Sequence, residues 1–125
     1  LYDWIMIKDN HIDACGSITA AINRVHDYFE ENHMELGITV EVRDFKELEE
    51  VLSVGKITRI MLDNFTVEDT KKAVEIINGR FEIEASGGVT MDTVRNIAET
   101  GVNFISVGAL THSYRSLDLS LKVVK

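Results

Sequence analysis

Short apolar runs alternate along this chain with segments in which apolar residues recur at helical spacing. The opening "WIMI" is followed by four further runs of strand length, each rich in β-branched or aromatic residues. These runs are ITVEV at residues 38–42, RIMLD at 59–63, FEIEA at 81–85 and FISVG at 104–108. Each run predicts a β-strand, and the amphipathic segments between the runs predict helices.

The predicted helices have recognisable first and last residues. The longest begins at Ser17 and has one apolar face, formed by Ile18, Ala21, Ile22, Val25 and Phe29. Asp44 with Glu47 three residues later is typical of a capping box at a helix start. The predicted pairs of start and stop residues for the other helices are Asp44 with Gly55, Thr66 with Gly79, and Thr90 with Gly101.

The strand ends recur at intervals of one strand and one helix. Glu41, Asp63, Glu84 and Val107 are separated by 22, 21 and 23 residues. Repeated strand and helix with short loops predicts parallel strands joined by right-handed crossovers. The fold class is therefore predicted to be α/β, and the apolar strands fit either a barrel or a doubly wound sheet.

Composition narrows the function classes. The chain has 125 residues, of which 45% are hydrophobic and 27% charged, as expected for one globular domain or part of one. A net charge of -8 argues against a nucleic-acid surface, which needs a basic face. No run approaches the roughly 20 apolar residues of a membrane span.

The single cysteine and the first residues lead to two further expectations. Cys15 has no partner for an internal disulfide, so a reducing compartment, the cytosol, is predicted. The sequence does not begin with Met and starts directly on a strand-like run. We therefore expect it to be a piece of a longer protein.

Charged residues stand at the ends of three predicted strands. Lys8 follows "WIMI", Glu41 lies in "ITVEV" and Asp63 ends "RIMLD". The carboxyl ends of the strands line the site in α/β proteins, so these groups are expected at one rim. A buried carboxylate needs a cation or donors to offset its desolvation. Two carboxylates facing one cavity suit Mg²⁺ carried by a phosphorylated substrate, or the stabilisation of developing positive charge.

Glu84 permits two interpretations. It lies two residues after Glu82, so both point to the same face of their strand, opposite Ile83 and Ala85. Glu84 could act at the rim of a barrel, or it could form a salt bridge with a neighbouring strand. Strand alternation alone does not decide between these roles.

Two loops of small residues follow the last two predicted strands. Ser86, Gly87 and Gly88 offer backbone N–H groups ahead of the predicted helix start at Thr90. One unit later, Gly108 and Ala109 come after Ser106. Two adjacent loops of this kind match the usual phosphate position of (β/α)₈ barrels.

The histidines are ambiguous. His11 and His112 are each predicted to lie in a rim loop, where they could hydrogen-bond a phosphate or cap a turn. His26 and His33 belong to the first long helix or its end and are predicted to be solvated. No metal site is expected there, because no third ligand accompanies them.

Five sequence blocks in order identify a resemblance. "MIKDNHI", "VEV", "IMLDNF", "EASGGV" and "GVNFISVGALTHS", which run from residue 6 to 113, resemble the quinolinate phosphoribosyltransferases. The resemblance implies an N-terminal α/β sandwich followed by an incomplete TIM-like α/β barrel. It also implies a homodimer in which a neighbour's arginine completes the site. Residues 1–125 would be the C-terminal part of the barrel, with the sandwich domain and the first barrel strands absent.

The resemblance also implies a reaction and a role for each rim residue. Quinolinate and phosphoribosyl pyrophosphate would give nicotinate mononucleotide, pyrophosphate and CO₂, with Mg²⁺, in NAD biosynthesis. Lys8 would contact a quinolinate carboxylate, and Glu41 and Asp63 would face the ribose and the magnesium pyrophosphate. The implied phosphate-binding residues are Ser86, Gly87, Gly88, Val107, Gly108 and Ala109, with His112 beside them. The family gives Glu84 no main catalytic role, and Arg43 is expected outside the site.

Two other hypotheses remain open from the residues. Another phosphate-binding barrel enzyme, a synthase or an aldolase, would fit the same rim, and an aldolase would use Lys8 as its Schiff-base lysine. Alternatively, the 125 residues are an inactive fragment of the transferase. We expect the piece alone to be inactive, because the other anion-binding residues implied by the family are absent from it.

Overall fold

The computed structural model describes residues 4–110 and 116–124, with side chains at 4–107 and 121–124. The described residues form one six-stranded sheet and five helices. The strands are β1 Trp4–Ile7, β2 Gly37–Val42, β3 Arg59–Asp63, β4 Glu82–Ser86, β5 Phe104–Leu110 and β6 Ser116–Lys122. The helices are α1 Asp9–Cys15, α2 Ile18–Glu31, α3 Phe45–Val54, α4 Val67–Ile77 and α5 Val94–Ala98.

The strand order decides between the two architectures. The strands lie in the order β1-β2-β3-β4-β5-β6, and the first five are parallel. A doubly wound sheet reverses its strand order at a switch point and has helices on both faces. Here the order never reverses, which is the arrangement of a segment of an α/β barrel.

One hydrophobic core lies between the helices and one face of the sheet. It combines alternate strand residues with apolar residues from all five helices. Ile60 and Leu62 of β3, Leu48 of α3 and Ile77 of α4 are all fully buried in it. The opposite, inner face carries the remaining alternate positions, including Arg59, which leaves that face available for polar chemistry.

Three predicted helix starts are confirmed by their capping bonds. Ser17 Oγ accepts from the Ala20 N–H at 3.0 Å. Asp44 Oδ1 accepts from Glu47 at 2.8 Å, and Thr66 Oγ1 accepts from Asp69 at 3.1 Å. Glu47 does not close the reciprocal bond to Asp44, because its carboxylate accepts from the Arg43 N–H at 2.7 Å.

The predicted helix start at Thr90 is wrong. The helix after β4 is the short α5, and its N-cap is Thr93. Residues 90–93 form a turn in which the Thr90 and Thr93 hydroxyls each accept from the other residue's N–H, at 3.3 and 3.0 Å. Both residues can therefore satisfy a turn locally, which competes with helix initiation.

Two elements were not predicted. Helix α1 follows β1 directly, after Lys8, and includes His11, so His11 lies in a helix and not in a rim loop. Strand β6 runs antiparallel to β5, so the sheet is not wholly parallel. The alternating "SLDLSLK" of β6 is the period-two pattern typical of a strand, and it is the signal that could have found it.

The Asp44 cap gives a stability prediction. Asp44→Ala should lower the free energy of unfolding by about 1 kcal/mol, because the Glu47 N–H at the start of α3 loses its acceptor. Thermal or urea unfolding of the full-length protein measures this loss. Asp44→Asn retains an acceptor and should lose less; equal losses in both variants would contradict the capping role.

Within the part of the chain that the structure describes, no helix is long and apolar enough to cross a membrane.

Candidate functional site

A cavity of about 500 Å³ lies at the carboxyl ends of the parallel strands, on the inner face of the sheet. It is lined by Met6, Lys8, Glu41, Met61, Ser86, Gly87, Gly88, Val89, Thr90, Ser106 and Val107. Six of the residues predicted for the site are among these: Lys8, Glu41, Ser86, Gly87, Gly88 and Val107. The rim prediction thus corresponds to one cavity.

Strand alternation explains why these side chains meet. Glu41 is flanked by the fully buried Val40 and Val42, which face the helices, so Glu41 must face the inner side. Met61 is the register partner of Glu41 on β3. The sequence reasoning missed Met6 and Met61, although each lies two residues before a predicted site residue and so shares its face.

Glu41 has an unusual electrostatic environment. Burial raises the pKa of the Glu41 carboxyl, and the nearby Asp63 carboxylate raises it further. The Lys8 ammonium acts in the opposite direction and lowers it. The two carboxylates and the lysine are therefore close enough to influence one another, and the pair of acids favours a positive charge between them.

The loop formed by Ser86, Gly87 and Gly88, here called the glycine loop, packs closely on the end of β3. Asn64 donates its backbone N–H to the Ser86 carbonyl at 2.7 Å. Gly87 has a φ of 75° and Gly88 a φ of 68°, a region that favours glycine. A Cβ on Gly87 would stand 2.8 Å from Asp63 Oδ1 and 3.1 Å from the Asn64 nitrogen.

This packing places Asp63 at the edge of the cavity. Asp63 is the register partner of Ser86 across β3 and β4, and its carboxylate lies against Gly87. Asp63 does not itself line the cavity, but it adjoins both the glycine loop and Glu41. The two predicted carboxylates thus flank the same opening from neighbouring strands.

The remaining predicted phosphate residues lie on or after β5. Val107 lines the cavity, although its side chain is buried in the core, so its backbone is what it can offer a ligand. Gly108 and Ala109 belong to β5, where their register partners are Asp118 and Leu117 of β6. His112 lies outside the described residues.

Glu84 is part of an ion pair, the second of the two interpretations. Its side chain is buried, with 4% of the residue exposed. Arg59 Nη1 of the neighbouring β3 donates to Glu84 Oε1 at 3.1 Å, and Ser106 Oγ of β5 donates to Glu84 Oε2 at 2.5 Å. A charged donor on one oxygen and a hydroxyl on the other offset the cost of burying the carboxylate.

The side chains of His11 and Arg43, both near the rim, form local hydrogen bonds. His11 Nδ1 accepts from the Lys8 N–H at 3.1 Å and so caps the start of α1. Arg43 donates from Nη2 to Glu47 Oε2 at 2.9 Å, and this bonding lowers the pKa of Glu47. Arg43 is not among the residues found to line the cavity, as expected.

Two carboxylates at the cavity are candidate ligands for Mg²⁺. Glu41 and Asp63 supply carboxylate oxygens, which are the protein ligands that Mg²⁺ prefers. Among the described residues, no group of three or more His, Cys, Asp or Glu side chains could hold a metal ion. The residues therefore fit a magnesium ion that keeps most of its ligands from water and a substrate phosphate, and not a caged protein site.

Comparison with known families gives a match over almost the whole chain. Residues 1–122 match the family model described as "Quinolinate phosphoribosyl transferase, C-terminal domain". The chain belongs to the quinolinate phosphoribosyltransferase family. A tobacco protein named quinolinate phosphoribosyltransferase [decarboxylating] 1b is 48% identical over 98% of this chain. The probable nicotinate-nucleotide pyrophosphorylase [carboxylating] of Bacillus subtilis is 42% identical over 98% of the chain.

Solved structures of two similar proteins confirm the fold. The nicotinate-nucleotide pyrophosphorylase of Francisella tularensis superposes with a TM-score of 0.78 at 38% identity, over 99% of this chain. That of Ehrlichia chaffeensis gives 0.73 at 45% identity, over 84% of this chain. The match covers 39% of the tobacco protein and 42% of the Francisella chain. The chain therefore spans about two fifths of the length of these relatives.

Proposed function

We propose that the protein containing this chain transfers a phosphoribosyl group from phosphoribosyl pyrophosphate to quinolinate, releasing pyrophosphate and CO₂ and giving nicotinate mononucleotide. Membership of the quinolinate phosphoribosyltransferase family supports this reaction. The observation that carries it is the cavity that combines Lys8, the Glu41 carboxylate and the glycine loop, with Asp63 at its edge.

Each group has a chemical role in this proposal. The Lys8 ammonium binds a quinolinate carboxylate, and the backbone N–H groups of the glycine loop bind the phosphate. The bond between the ribose C1 and the pyrophosphate oxygen breaks, and the leaving pyrophosphate takes the electron pair. Glu41 and Asp63 stabilise the positive charge that develops on the ribose. The pyridine nitrogen forms the new bond to C1. The bond between the adjacent ring carbon and its carboxylate then breaks, CO₂ leaves, and the electron pair that stays on the ring carbon takes up a proton from water.

The magnesium ion is part of the proposal. Glu41 and Asp63 would hold it, directly or through water, and it would neutralise charge on the pyrophosphate. A homodimer in which a neighbour's arginine completes the site is likewise proposed. The cytosol is the proposed compartment, because the single cysteine favours a reducing environment. Two tobacco relatives are named mitochondrial, and an Arabidopsis relative is named chloroplastic.

An assay of the full-length protein tests the reaction. With quinolinate, phosphoribosyl pyrophosphate and Mg²⁺, we expect nicotinate mononucleotide, pyrophosphate and CO₂ in equal amounts, measured by chromatography and CO₂ release. Omission of either substrate is the control. No nucleotide product from a folded protein would contradict the proposal.

The aldolase alternative has its own test. It requires Lys8 to form a Schiff base, which borohydride would trap as a stable adduct with a carbonyl substrate. We expect the intact mass of the full-length protein to be unchanged after such treatment. A Lys8 adduct located by peptide mass spectrometry would favour the alternative.

A further inference from the structure

The backbone pairing of β4 is uneven on its two edges. Toward β3, the paired register continues to the strand end, where Asp63 lies opposite Ser86. Toward β5, it stops one residue earlier, with Ala85 opposite Ile105. The register therefore does not pair Ser86 with Ser106, and both residues line the cavity; this unpaired stretch is here called the gap between β4 and β5.

A side-chain bond crosses this gap. Ser106 Oγ on β5 donates to Glu84 Oε2 on β4 at 2.5 Å, the distance of a strong hydrogen bond to a carboxylate. Glu84 lies two residues before Ser86, the first residue of the glycine loop, and on the same face. The bond thus joins the two strands next to the point where their paired register ends.

The other oxygen of Glu84 is fixed by a rigid neighbour. Arg59 donates to Glu84 Oε1 at 3.1 Å, and its guanidinium lies 3.8 Å from the centre of the Phe104 ring and 4.8 Å from that of Trp4. Arg59 also reaches Glu82 at 3.5 Å. With its partner held by two aromatic rings, Glu84 has a fixed orientation toward Ser106.

We propose that Glu84 is a positioning residue, which sets the width of the gap between β4 and β5 through the hydroxyl of Ser106 and so shapes the site for a phosphate group. The inference rests on the proposed function only in naming phosphoribosyl pyrophosphate as the source of that phosphate. Glu84 does not contact the ligand. Its effect is therefore expected on phosphate affinity, and not on the binding of the pyridine ring.

The test uses the full-length protein with Glu84→Gln, Ser106→Ala, their double variant and Glu82→Gln as the matched control. Glu82 shares the strand, the face and the Arg59 contact, but its side chain is 42% exposed and it lies farther from the gap. Calorimetry with inorganic phosphate should give about tenfold weaker binding for Ser106→Ala and Glu84→Gln, as for loss of a hydrogen bond to a charged group. Glu82→Gln should stay within about twofold of the unmutated protein.

The double variant and the steady-state kinetics separate positioning from general stability. If Glu84 acts through Ser106, the double variant should bind phosphate no more weakly than Ser106→Ala. In the quinolinate assay, KM for phosphoribosyl pyrophosphate should rise about tenfold and KM for quinolinate should stay within about twofold. Ser106→Thr keeps the hydroxyl and should bind phosphate more tightly than Ser106→Ala. The comparison of these two variants still tests the inference if Glu84→Gln does not fold.

Three results would overturn the inference: unchanged phosphate affinity in Ser106→Ala, no phosphate binding by the unmutated protein, or independent losses that multiply in the double variant. The two proposals fail separately. An unmutated protein that binds phosphate but makes no nicotinate mononucleotide contradicts the proposed reaction and leaves the positioning role to be judged by calorimetry.

Discussion

Glu41→Gln in the full-length protein is expected to lower kcat about 10²–10³-fold while the melting temperature stays equal or rises. The activity falls because the charge that stabilises the ribose in the transition state is removed. The fold does not lose stability, because burial and Asp63 raise the pKa of Glu41, so that its ionised form is disfavoured in the folded state. For an acid whose pKa is raised on folding, stability is lost as the pH rises through that pKa.

The amide of Glu41→Gln cannot ionise, so at neutral pH it avoids the loss of stability caused by the buried carboxylate. The melting temperature of the unmutated protein minus that of Glu41→Gln should therefore become more positive as the pH is lowered from 7 toward 4.5, the ordinary Glu value. Glu49→Gln, on an exposed position of α3, is the matched control and should change neither kcat nor the pH trend. Unchanged kcat in Glu41→Gln would contradict its proposed role, as would a large loss of stability.

Gly87→Ala is expected to lower kcat/KM for phosphoribosyl pyrophosphate by about 10²-fold, more than its loss of stability explains. The added Cβ would stand 2.8 Å from Asp63 Oδ1 and 3.1 Å from the Asn64 backbone nitrogen. The carboxylate of Asp63 must therefore move, and the glycine loop must shift away from the end of β3. Steady-state kinetics and thermal unfolding of the full-length protein measure the two effects.

Gly79→Ala separates the steric effect from backbone strain. Gly79 has a φ of 77°, nearly the same as the 75° of Gly87, but a Cβ there would meet nothing within 4 Å. Both variants should lose about 1–2 kcal/mol of stability from the left-handed conformation, and only Gly87→Ala should lose activity. Equal activity in both would show that Gly87 is needed only for its backbone conformation.

Much of the fold could be predicted, because it depends on local patterns. The limits of β3 and the caps Ser17, Asp44 and Thr66 follow from hydrophobic periodicity and short-range hydrogen bonding. Periodicity could not distinguish a barrel from a doubly wound sheet, since both bury strands of the same composition. That choice depends on strand order, which is a property of the whole sheet.

The grouping of polar residues at strand ends could be predicted from the sequence, but hydrogen-bond partners that are distant in sequence could not. Lys8, Glu41 and the glycine loop were predicted to share a rim, because such groups gather at the carboxyl ends of the strands in an α/β fold, and they line one cavity. Glu84 could not be assigned, since its partner Arg59 lies 25 residues away and its orientation depends on the register of β3 and β4. The predicted helix start at Thr90 was wrong because its hydroxyl closes a turn with Thr93 and does not cap a helix.

A crystal structure of the full-length protein with nicotinate mononucleotide would show whether the glycine loop binds the phosphate. We expect the phosphate on the backbone N–H groups of the glycine loop, at the gap between β4 and β5, with the ribose facing Glu41 and Asp63. A larger cavity of about 920 Å³, lined by Thr58, Asn78 and Asn103 among others, lies at the amino ends of β3, β4 and β5. A nucleotide bound there, with the glycine loop empty, would contradict the account.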